Sequence, residues 1–241
     1  MLDSTIIRDT LADFDITRRW VPTDPGKLQL YSYPTPNGVK VSIALEELGL
    51  PYEPHTVTLS DTDVKSPEFL SLNPNNKIPA IIDPDGPDGR PIGLFESGAI
   101  LVYLAEKTGR LAGTTQAHRY EVLEWLMFQM GGVGPMLGQL GFFYAFKGAE
   151  IDDPRPRERY LAEARRLLDV IETRMEGRDW IAGDGFSIAD IAIVPWLQTI
   201  EKFYKAGEAT GLRDRPNVAA YIDRFAARAA VERGWSIPAR D

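Results

Sequence analysis

Residues 27–48, KLQLYSYPTPNGVKVSIALEEL, join an alternating apolar segment to a segment with helical spacing through a short turn. The first part, KLQLYSY, alternates as a half-buried strand does, and the last part, VKVSIALEEL, repeats apolar residues as a helix does. The turn begins at Pro34 and contains Thr35, Asn37 and Gly38, where proline stiffens the chain and glycine permits close backbone approach. This strand–turn–helix unit predicts the start of an α/β domain.

The chain that follows continues the α/β pattern as far as residue 110. Strands are predicted at YEPHTVTL, IPAIID and IGLF, helices at SPEFLSL and ESGAILVYLAEKTG, and a hairpin turn at DPDGPDGRP. The order β-α-β-α-β-β-α is that of a thioredoxin-like domain, which we assign to residues 27–110. Residues 1–26 are interpreted as an N-terminal extension.

Residues 111–241 are predicted to form an all-helical domain, a helical bundle. Helices are expected at AHRYEVLEWLMFQMGGVGPMLG, PRPRERYLAEARRLLDVIETRMEG, SIADIAIVPWLQTIEKF and VAAYIDRFAARAAVERG. Ser187 and Asp190 have the spacing of a capping box, in which each side chain accepts a hydrogen bond from a backbone donor at the helix start. The predicted fold class is therefore α/β plus all-α.

Composition excludes several kinds of site. The chain has 241 residues, no cysteine and two histidines, so a disulfide, a cysteine nucleophile and a thiolate metal site are excluded and no metal is expected. Its formal charge of −8 argues against a nucleic-acid partner. No apolar run reaches the roughly 20 residues of a membrane span, and the first residues lack a signal-peptide core. We expect a cytoplasmic protein with no membrane partner.

Three motifs together resemble those of the cytosolic glutathione transferases: NNKIPAI, ESGAILVYLAEK and FSIADIAIVPW. With TPNG and GGVGPMLGQ added, the sequence more narrowly resembles the bacterial nu class, and also the transferase-like domain of a fungal nitrogen regulator. The resemblance covers residues 27–235. It implies an enzyme that uses glutathione or glutathione disulfide, needs no metal, acts on a small electrophile or disulfide, and forms a homodimer.

The resemblance assigns the glutathione backbone to two motifs. Ser97 and Glu96 are placed at the α-carboxylate and ammonium of the γ-glutamyl head, although from spacing alone this pair fits a helix cap equally well. The Ile78–Pro79 bond is expected to be cis, with the Ile78 backbone pairing with the cysteinyl unit as an added strand does. Lys77 is placed at the glycine carboxylate.

Two further basic residues are candidates for glutathione. Relatives often carry His or Gln where this chain has Val64, so the contact with the glycine carboxylate either weakens or shifts to Lys65. Arg159 matches an arginine that, in nu-class relatives, reaches glutathione in the partner subunit; a surface charge in an arginine-rich helix is the alternative.

Thr35 and Asn37 are the catalytic candidates. The thiolate is the reactive form of glutathione, and hydrogen-bond donors that point at the sulfur lower its pKa. Thr35, Asn37 and the backbone N–H groups of the turn supply such donors, while Tyr33 is the rival because some classes use a tyrosine on this strand. A plain Asn-Gly turn is the structural alternative.

The second substrate is expected to meet Tyr33 and an aromatic segment of the helical domain. Phe142, Phe143 and Tyr144 are adjacent, so they cannot all face one core from a single helix. The function predicted is thiol–disulfide reduction of small disulfides with glutathione. The alternatives are conjugation or ether cleavage of hydrophobic electrophiles, and a regulatory module without activity.

Overall fold

A computed structural model describes residues 9–183 and 185–239. Residues 1–8 of the predicted N-terminal extension, and residues 184, 240 and 241 of the predicted helical domain, lie outside the described part. Residues 9–101 with 233–239 form one compact unit, and residues 102–183 with 185–232 form a second. None of the described helices is long and apolar enough to cross a bilayer.

The first unit contains a mixed four-stranded sheet. Its strands are β1 (Leu28–Ser32), β2 (Tyr52–Thr56), β3 (Ala80–Asp83) and β4 (Ile92–Phe95), in the spatial order β2-β1-β3-β4. β1 pairs in parallel with β2, and β3 pairs antiparallel with β1 and β4. Leu30 lies opposite Pro54 on one side and Ile81 on the other. This is the thioredoxin-like arrangement that the element order predicted.

All but two of the α-helices lie in intervals that the sequence predicted. The α-helices are α1 (Gly38–Leu48), α2 (Asp61–Val64), α3 (Pro67–Leu72), α4 (Ser97–Thr108), α5 (Gln116–Phe128), α6 (Gly134–Ala145), α7 (Arg155–Arg174), α8 (Ile188–Lys202), α9 (Gly207–Thr210), α10 (Pro216–Ala226) and α11 (Ala229–Gly234). The short helices α2 and α9 were not predicted. α3 begins as its sequence indicates, because the Ser66 hydroxyl accepts a bond from Phe69 N–H.

The first two turns of α1 are buried on all sides. Every residue from Gly38 to Leu45 is buried, and the helix ends on Gly49, which adopts the left-handed conformation common after helix ends. A helix that is buried all round must be apolar or must pair its polar groups. Lys40 lies within this buried stretch, which makes it the exception that needs an explanation.

The residues just before the sheet are part of the core. Two 3₁₀ turns, Leu11–Asp13 and Asp15–Arg18, precede β1. Leu11, Phe14 and Ile16 join a buried apolar cluster that also contains residues of β1, β3 and α3. Trp20 packs against this cluster and donates from its indole nitrogen to the Thr56 carbonyl at 2.9 Å. The described part of the predicted extension therefore contributes to the stability of the first unit.

In the second unit, α5 and α6 are joined by a π-helical turn over Gln129–Val133, and the residues on either side of it have helical backbone angles. The sequence predicted a single helix through this stretch, which contains Gly131 and Gly132, two residues that favour helix poorly. The single helix predicted at the C-terminal end is instead two. The Arg228 N–H donates to the Phe225 carbonyl at 3.2 Å, a tight i→i−3 bond that closes α10 before α11 starts.

The predicted capping box at the start of α8 is confirmed. The Asp190 carboxylate accepts from the Ser187 N–H at 2.8 Å, and the Ser187 hydroxyl accepts from the Ala189 N–H. Asp190 also accepts from the Ile181 N–H at 2.8 Å and from the Tyr221 hydroxyl at 2.7 Å. Asp190 is fully buried, so these bonds join α8, α10 and the preceding loop within the second unit.

Candidate active site

The turn between β1 and α1 holds Thr35 by its backbone and its side chain. The Thr35 N–H donates to the Tyr33 carbonyl at 2.7 Å, and the Thr35 carbonyl accepts from the Val39 N–H at 3.0 Å. The Thr35 hydroxyl accepts from the Gly38 N–H at 3.1 Å. Among the described residues this hydroxyl donates to no acceptor, so its hydrogen is available to a ligand.

Gly38 is required by the closeness of two backbone segments. A β-carbon at residue 38 would lie 1.9 Å from the Tyr33 carbonyl oxygen and 2.7 Å from the Ser32 hydroxyl. Both distances are far below van der Waals contact, and the first obstacle is backbone that cannot rotate away. The turn therefore keeps its tight form only with glycine at this position.

The rival donors differ in their access to solvent. Thr35 and Asn37 are partly exposed, and Asn37 immediately precedes α1 with helical backbone angles. Tyr33 is also partly exposed but packs against the buried cluster of the first unit. Tyr31 is fully buried, and burial raises the pKa of its hydroxyl above the usual value. The Tyr31 hydroxyl is therefore not accessible to a ligand at this turn.

The loop before β3 presents free backbone groups beside the sheet. The Ile78–Pro79 bond is cis, as the resemblance implied. Within residues 9–183 and 185–239 the Ile78 N–H and carbonyl form no hydrogen bond, although the neighbouring Ala80 pairs with Tyr31 in the sheet. Unpaired backbone groups next to a strand can bind an extended peptide. Lys77 is exposed beside them.

Asn73 shapes this loop and was not identified from the sequence. Its side chain is buried, donates to the Lys77 carbonyl at 2.5 Å and accepts from the Asn75 N–H at 2.9 Å. These two bonds fix the chain that leads into Ile78. An Asn-Pro-Asn-Asn run favours a turn, but composition does not say which asparagine turns inward.

Glu96 and Ser97 form the junction between β4 and α4. Glu96 is exposed and has a positive φ of 71°, a conformation that is costly for a residue with a β-carbon. Its carbonyl accepts from the Ile100 N–H at 2.9 Å, and Ser97 is buried as the first residue of α4. Strained backbone of this kind is characteristic of functional sites.

Lys40 lies beside this junction and was not identified from the sequence. Its ammonium is fully buried and donates to the Ser97 hydroxyl at 3.4 Å. Burial lowers the pKa of Lys40 to about 7, and the Glu96 carboxylate acts in the opposite direction. The available signal was a lysine between Val39 and Val41 in the first turn of an apolar helix.

Lys65 and Arg159 occupy exposed positions. Lys65 forms an ion pair with Asp61 at 2.8 Å, one turn back on the surface. Arg159 lies on α7, and within the described residues its guanidinium forms no hydrogen bond or ion pair. It is thus available to a ligand or another chain. No group of three or more His, Asp or Glu side chains in the described part is arranged to hold a metal ion.

The aromatic segment of α6 is only partly covered. Phe142 is exposed, and Phe143 and Tyr144 are half-buried. Phe143 stacks on Tyr160 with ring centroids 5.5 Å apart, and Phe142 packs edge-on against Phe143 at 4.9 Å. As expected for adjacent aromatics on a helix, the three side chains do not share one core. They leave an apolar surface on the second unit.

Comparison with known proteins identifies the family. The model described as "Glutathione S-transferase, N-terminal domain" matches residues 26–106, and "Glutathione S-transferase, C-terminal domain" matches residues 135–229. A glutathione transferase from Burkholderia graminis, solved with two glutathione molecules per subunit, is 59% identical with a TM-score of 0.94 over 100% of both chains.

Two further relatives support the same family assignment. A glutathione transferase from Pseudomonas putida, solved with one glutathione disulfide per subunit, is 54% identical with a TM-score of 0.93, covering 95% of this chain and 99% of that one. The disulfide-bond oxidoreductase YfcG of Escherichia coli (strain K12) is 47% identical over 171 residues, which are 70% of this chain and 79% of YfcG. The chain therefore belongs to the glutathione S-transferase family.

Proposed function

We propose that this protein is a glutathione-dependent reductase of small disulfides. The observation that carries the proposal is the turn at Thr35, where a hydroxyl is held by the Gly38 N–H and keeps its hydrogen for a ligand. A chain without cysteine cannot form a mixed disulfide through a thiol of its own. Its role is then to hold glutathione as a thiolate and to bring a disulfide to it.

The proposed reaction has two exchange steps. The thiolate of one glutathione attacks a sulfur of the substrate disulfide, so that a mixed disulfide forms and one substrate thiolate leaves. A second glutathione thiolate attacks the glutathione sulfur of the mixed disulfide, forms glutathione disulfide and releases the second substrate thiolate. Two glutathione thiols lose two electrons and two protons, and the substrate disulfide gains them.

In the first step the Thr35 hydroxyl and the Asn37 amide donate to the glutathione sulfur. Donors aimed at a thiolate favour the ionised form and lower the thiol pKa. Neither group has to ionise, so no side chain of this turn needs to gain or lose a proton during the reaction. Tyr33 lies beside them and contributes to the wall of the pocket for the disulfide.

The rest of glutathione is placed on three further parts of the first unit. The cysteinyl unit pairs with the unbonded N–H and carbonyl of Ile78, beside Pro79, as an added strand does. The γ-glutamyl carboxylate binds at Ser97 and the ammonium at Glu96. Lys77 takes the glycine carboxylate, with Lys65 as the second cation if it leaves Asp61.

Relatives support this choice of reaction. The Burkholderia graminis protein binds two glutathione molecules per subunit, and the Pseudomonas putida protein binds one glutathione disulfide. These are the two reducing thiols and the oxidised product of the proposed reaction. The Escherichia coli relative is named as a disulfide-bond oxidoreductase.

The second unit is assigned to the other substrate and to assembly. Phe142, Phe143 and Tyr144 form an apolar surface for the organic part of the disulfide. The unpaired guanidinium of Arg159 binds glutathione in the partner subunit of a homodimer. The same apolar surface also suits a hydrophobic electrophile, which makes glutathione conjugation the second candidate function.

One experiment separates these functions. The purified protein is given glutathione and 2-hydroxyethyl disulfide, and the formation of glutathione disulfide is followed; a parallel assay follows conjugation of 1-chloro-2,4-dinitrobenzene. We expect disulfide reduction well above the uncatalysed rate and weak conjugation. Strong conjugation without disulfide reduction would assign the protein to the conjugating transferases. Glutathione binding without either reaction would indicate a regulatory module.

A further inference from the structure

The turn at the start of α1 contains a dipeptide that can react with itself. Asn37 is partly exposed and is followed by Gly38. The backbone nitrogen that follows an asparagine can attack its side chain, and glycine hinders this attack least because it has no β-carbon. Every other asparagine of the chain precedes a residue with a side chain; these are Asn73, Asn75, Asn76 and Asn217. Position 38 admits only glycine, since a β-carbon there would lie 1.9 Å from the Tyr33 carbonyl oxygen.

We propose that Asn37 is a deamidation site and that the folded turn protects it. In this reaction the Gly38 backbone nitrogen attacks the side-chain carbonyl carbon of Asn37 and closes a succinimide ring. The side-chain nitrogen leaves as ammonia and takes up the proton that the Gly38 nitrogen loses. Water then opens the ring to aspartate or isoaspartate. The reaction needs no reactant besides this chain and water.

The backbone conformation of Asn37 is one restraint on the reaction. Asn37 has a φ of −88° and a ψ of −38°, and Gly38 is the first residue of α1. A succinimide ring is nearly flat, so it closes only when the Gly38 nitrogen and the Asn37 β-carbon are almost eclipsed. Helical angles do not permit this arrangement. Rotation about ψ of Asn37 would bring the two atoms together, but it would also move Gly38 out of the first turn of α1.

A hydrogen bond on the attacking nitrogen is a second restraint. The Gly38 N–H donates to the Thr35 hydroxyl at 3.1 Å, and Gly38 is buried. The attack uses this same N–H, because its proton has to leave as the new C–N bond forms. The hydrogen bond must therefore break before the ring closes, and the rate follows the fraction of molecules in which the turn is open. Removal of the Thr35 hydroxyl should increase that fraction.

Deamidation at this position would change the candidate site. The amide of Asn37 can donate a hydrogen bond, whereas the carboxylate of the product only accepts. A negative charge beside the glutathione sulfur disfavours the thiolate and raises the pKa of the thiol. Deamidation should therefore inactivate the enzyme. This consequence rests on the proposed function, but the reaction at Asn37 does not.

The test compares wild type with Thr35→Val, each folded in buffer and unfolded in guanidinium chloride. Both are incubated at slightly alkaline pH, and conversion at every asparagine is followed by peptide mapping with mass spectrometry. In the unfolded chains Asn37 should react fastest of all the asparagines, at nearly the same rate in both proteins. In the folded state Asn37 of Thr35→Val should react about 2- to 10-fold faster than that of wild type, the range for one neutral hydrogen bond. Thr35→Ser keeps the hydroxyl and should react as wild type does.

Equal rates for folded wild type and folded Thr35→Val would overturn the proposal, and so would a faster reaction at another asparagine of the unfolded chain. Wild type alone tests the protection if the valine variant does not fold. Its Asn37 should react more slowly in buffer than in guanidinium chloride, and equal rates there would also contradict the proposal.

Asn37→Asp, the direct product of the reaction, tests the consequence for activity. It should remain folded and turn over 2-hydroxyethyl disulfide about 10-fold or more slowly than wild type, because a donor to the developing charge is replaced by a like charge. Normal turnover by this variant would overturn the role that the proposed function gives to Asn37. The reaction rates at Asn37, which are read by mass, decide the deamidation proposal separately.

Discussion

A β-carbon at residue 38 would lie 1.9 Å from the carbonyl oxygen of Tyr33, so α1 can start where it does only because residue 38 is glycine. The N–H of Gly38 also donates a hydrogen bond to the Thr35 hydroxyl oxygen at 3.1 Å. The tight turn before α1 and the orientation of the Thr35 hydroxyl therefore both depend on Gly38. A methyl group there would disturb both.

Gly38→Ala should lower the free energy of unfolding by about 1–3 kcal/mol, the usual cost of overpacking, because the Tyr33 carbonyl has to move. Affinity for glutathione should fall as well, since the Thr35 hydroxyl moves with the turn. Urea unfolding and calorimetric titration measure the two effects. Gly131→Ala is the matched control: a β-carbon there meets nothing within 4 Å, and alanine favours helix over glycine.

Thr35→Val removes the hydroxyl and keeps the shape of the side chain. Turnover of 2-hydroxyethyl disulfide should fall about 10- to 100-fold, somewhat less than for a sole donor, because backbone N–H groups of the turn share the task. Stability should fall by about 0.5–2 kcal/mol, because the Gly38 N–H loses a cap-like acceptor. Asn37→Ala should lower turnover in the same assay.

Two controls accompany this series. Thr35→Ser retains the hydroxyl and should keep both the rate and most of the stability. Tyr33→Phe removes a hydroxyl but leaves the ring packed on the buried cluster, so activity should persist. If Tyr33→Phe were inactive while Thr35→Val turned over normally, the thiol would be held by the tyrosine.

Local patterns were sufficient for most of the fold. The strand–turn–helix joint, the left-handed Gly49 and the capping box of Ser187 and Asp190 are set by residues close together in sequence. The end of α10 was missed because the residues around Ala227 all favour helix and no glycine or proline marks the break. There, tertiary packing outweighs local preference.

The residues of the candidate site could be predicted only where they belong to a motif that the chain shares with the family. Lys40 and Asn73 were missed because their roles depend on burial, which brings Lys40 to Ser97 from 57 positions away and turns Asn73 toward Lys77. A lysine in the first turn of a helix usually extends into solvent. Only the packed structure shows that this one does not.

Glu96 allows the cost of the strained junction to be measured. Glu96→Gly and Glu96→Ala both remove the carboxylate, so both should bind glutathione more weakly than wild type. Their stabilities should differ, because alanine retains the penalty of a φ of 71° and glycine does not. We expect the glycine variant to be more stable than the alanine variant by about 1 kcal/mol in urea unfolding.

Glu96→Gln serves as the charge control for this pair. It keeps the β-carbon and the side-chain length but cannot attract the ligand ammonium. Weak glutathione binding by Glu96→Gln, at wild-type stability, would assign the loss to charge. Normal binding by all three variants would restrict Glu96 to a structural role at the start of α4.

Asp190 should be the most sensitive polar residue of the second unit. Tyr221→Phe removes one hydrogen bond to this buried carboxyl and should cost about 1.5–3 kcal/mol, the range for a bond to a charged group. Asp190→Ala leaves several buried donors without an acceptor and should cost more. Asp223→Ala, on the same helix α10, removes an exposed ion pair with Arg213 and should cost about 1 kcal/mol or less.

Lys40 makes stability depend on pH in a direction that can be calculated. Its pKa is about 7 in the folded protein and 10.5 is the ordinary value, so between these values the unfolded chain binds a proton that the folded chain does not. The unfolded state therefore holds more protons in this window, and the free energy of unfolding must rise with pH by up to about 1.4 kcal/mol per unit. Below the folded pKa both states are charged, and the dependence disappears.

The measurement is urea unfolding of wild type and Lys40→Met at a series of pH values from about 6 to 9, because the other ionisable groups are shared by the two proteins. Between about pH 7 and 9 wild type should gain roughly 1–3 kcal/mol relative to the variant. At the lower end of the series the methionine variant should be at least as stable as wild type, since an apolar side chain in a buried site avoids the desolvation of a charge. A difference that stays constant over the whole series would mean that folding leaves the ammonium hydrated, contrary to its complete burial in the structure.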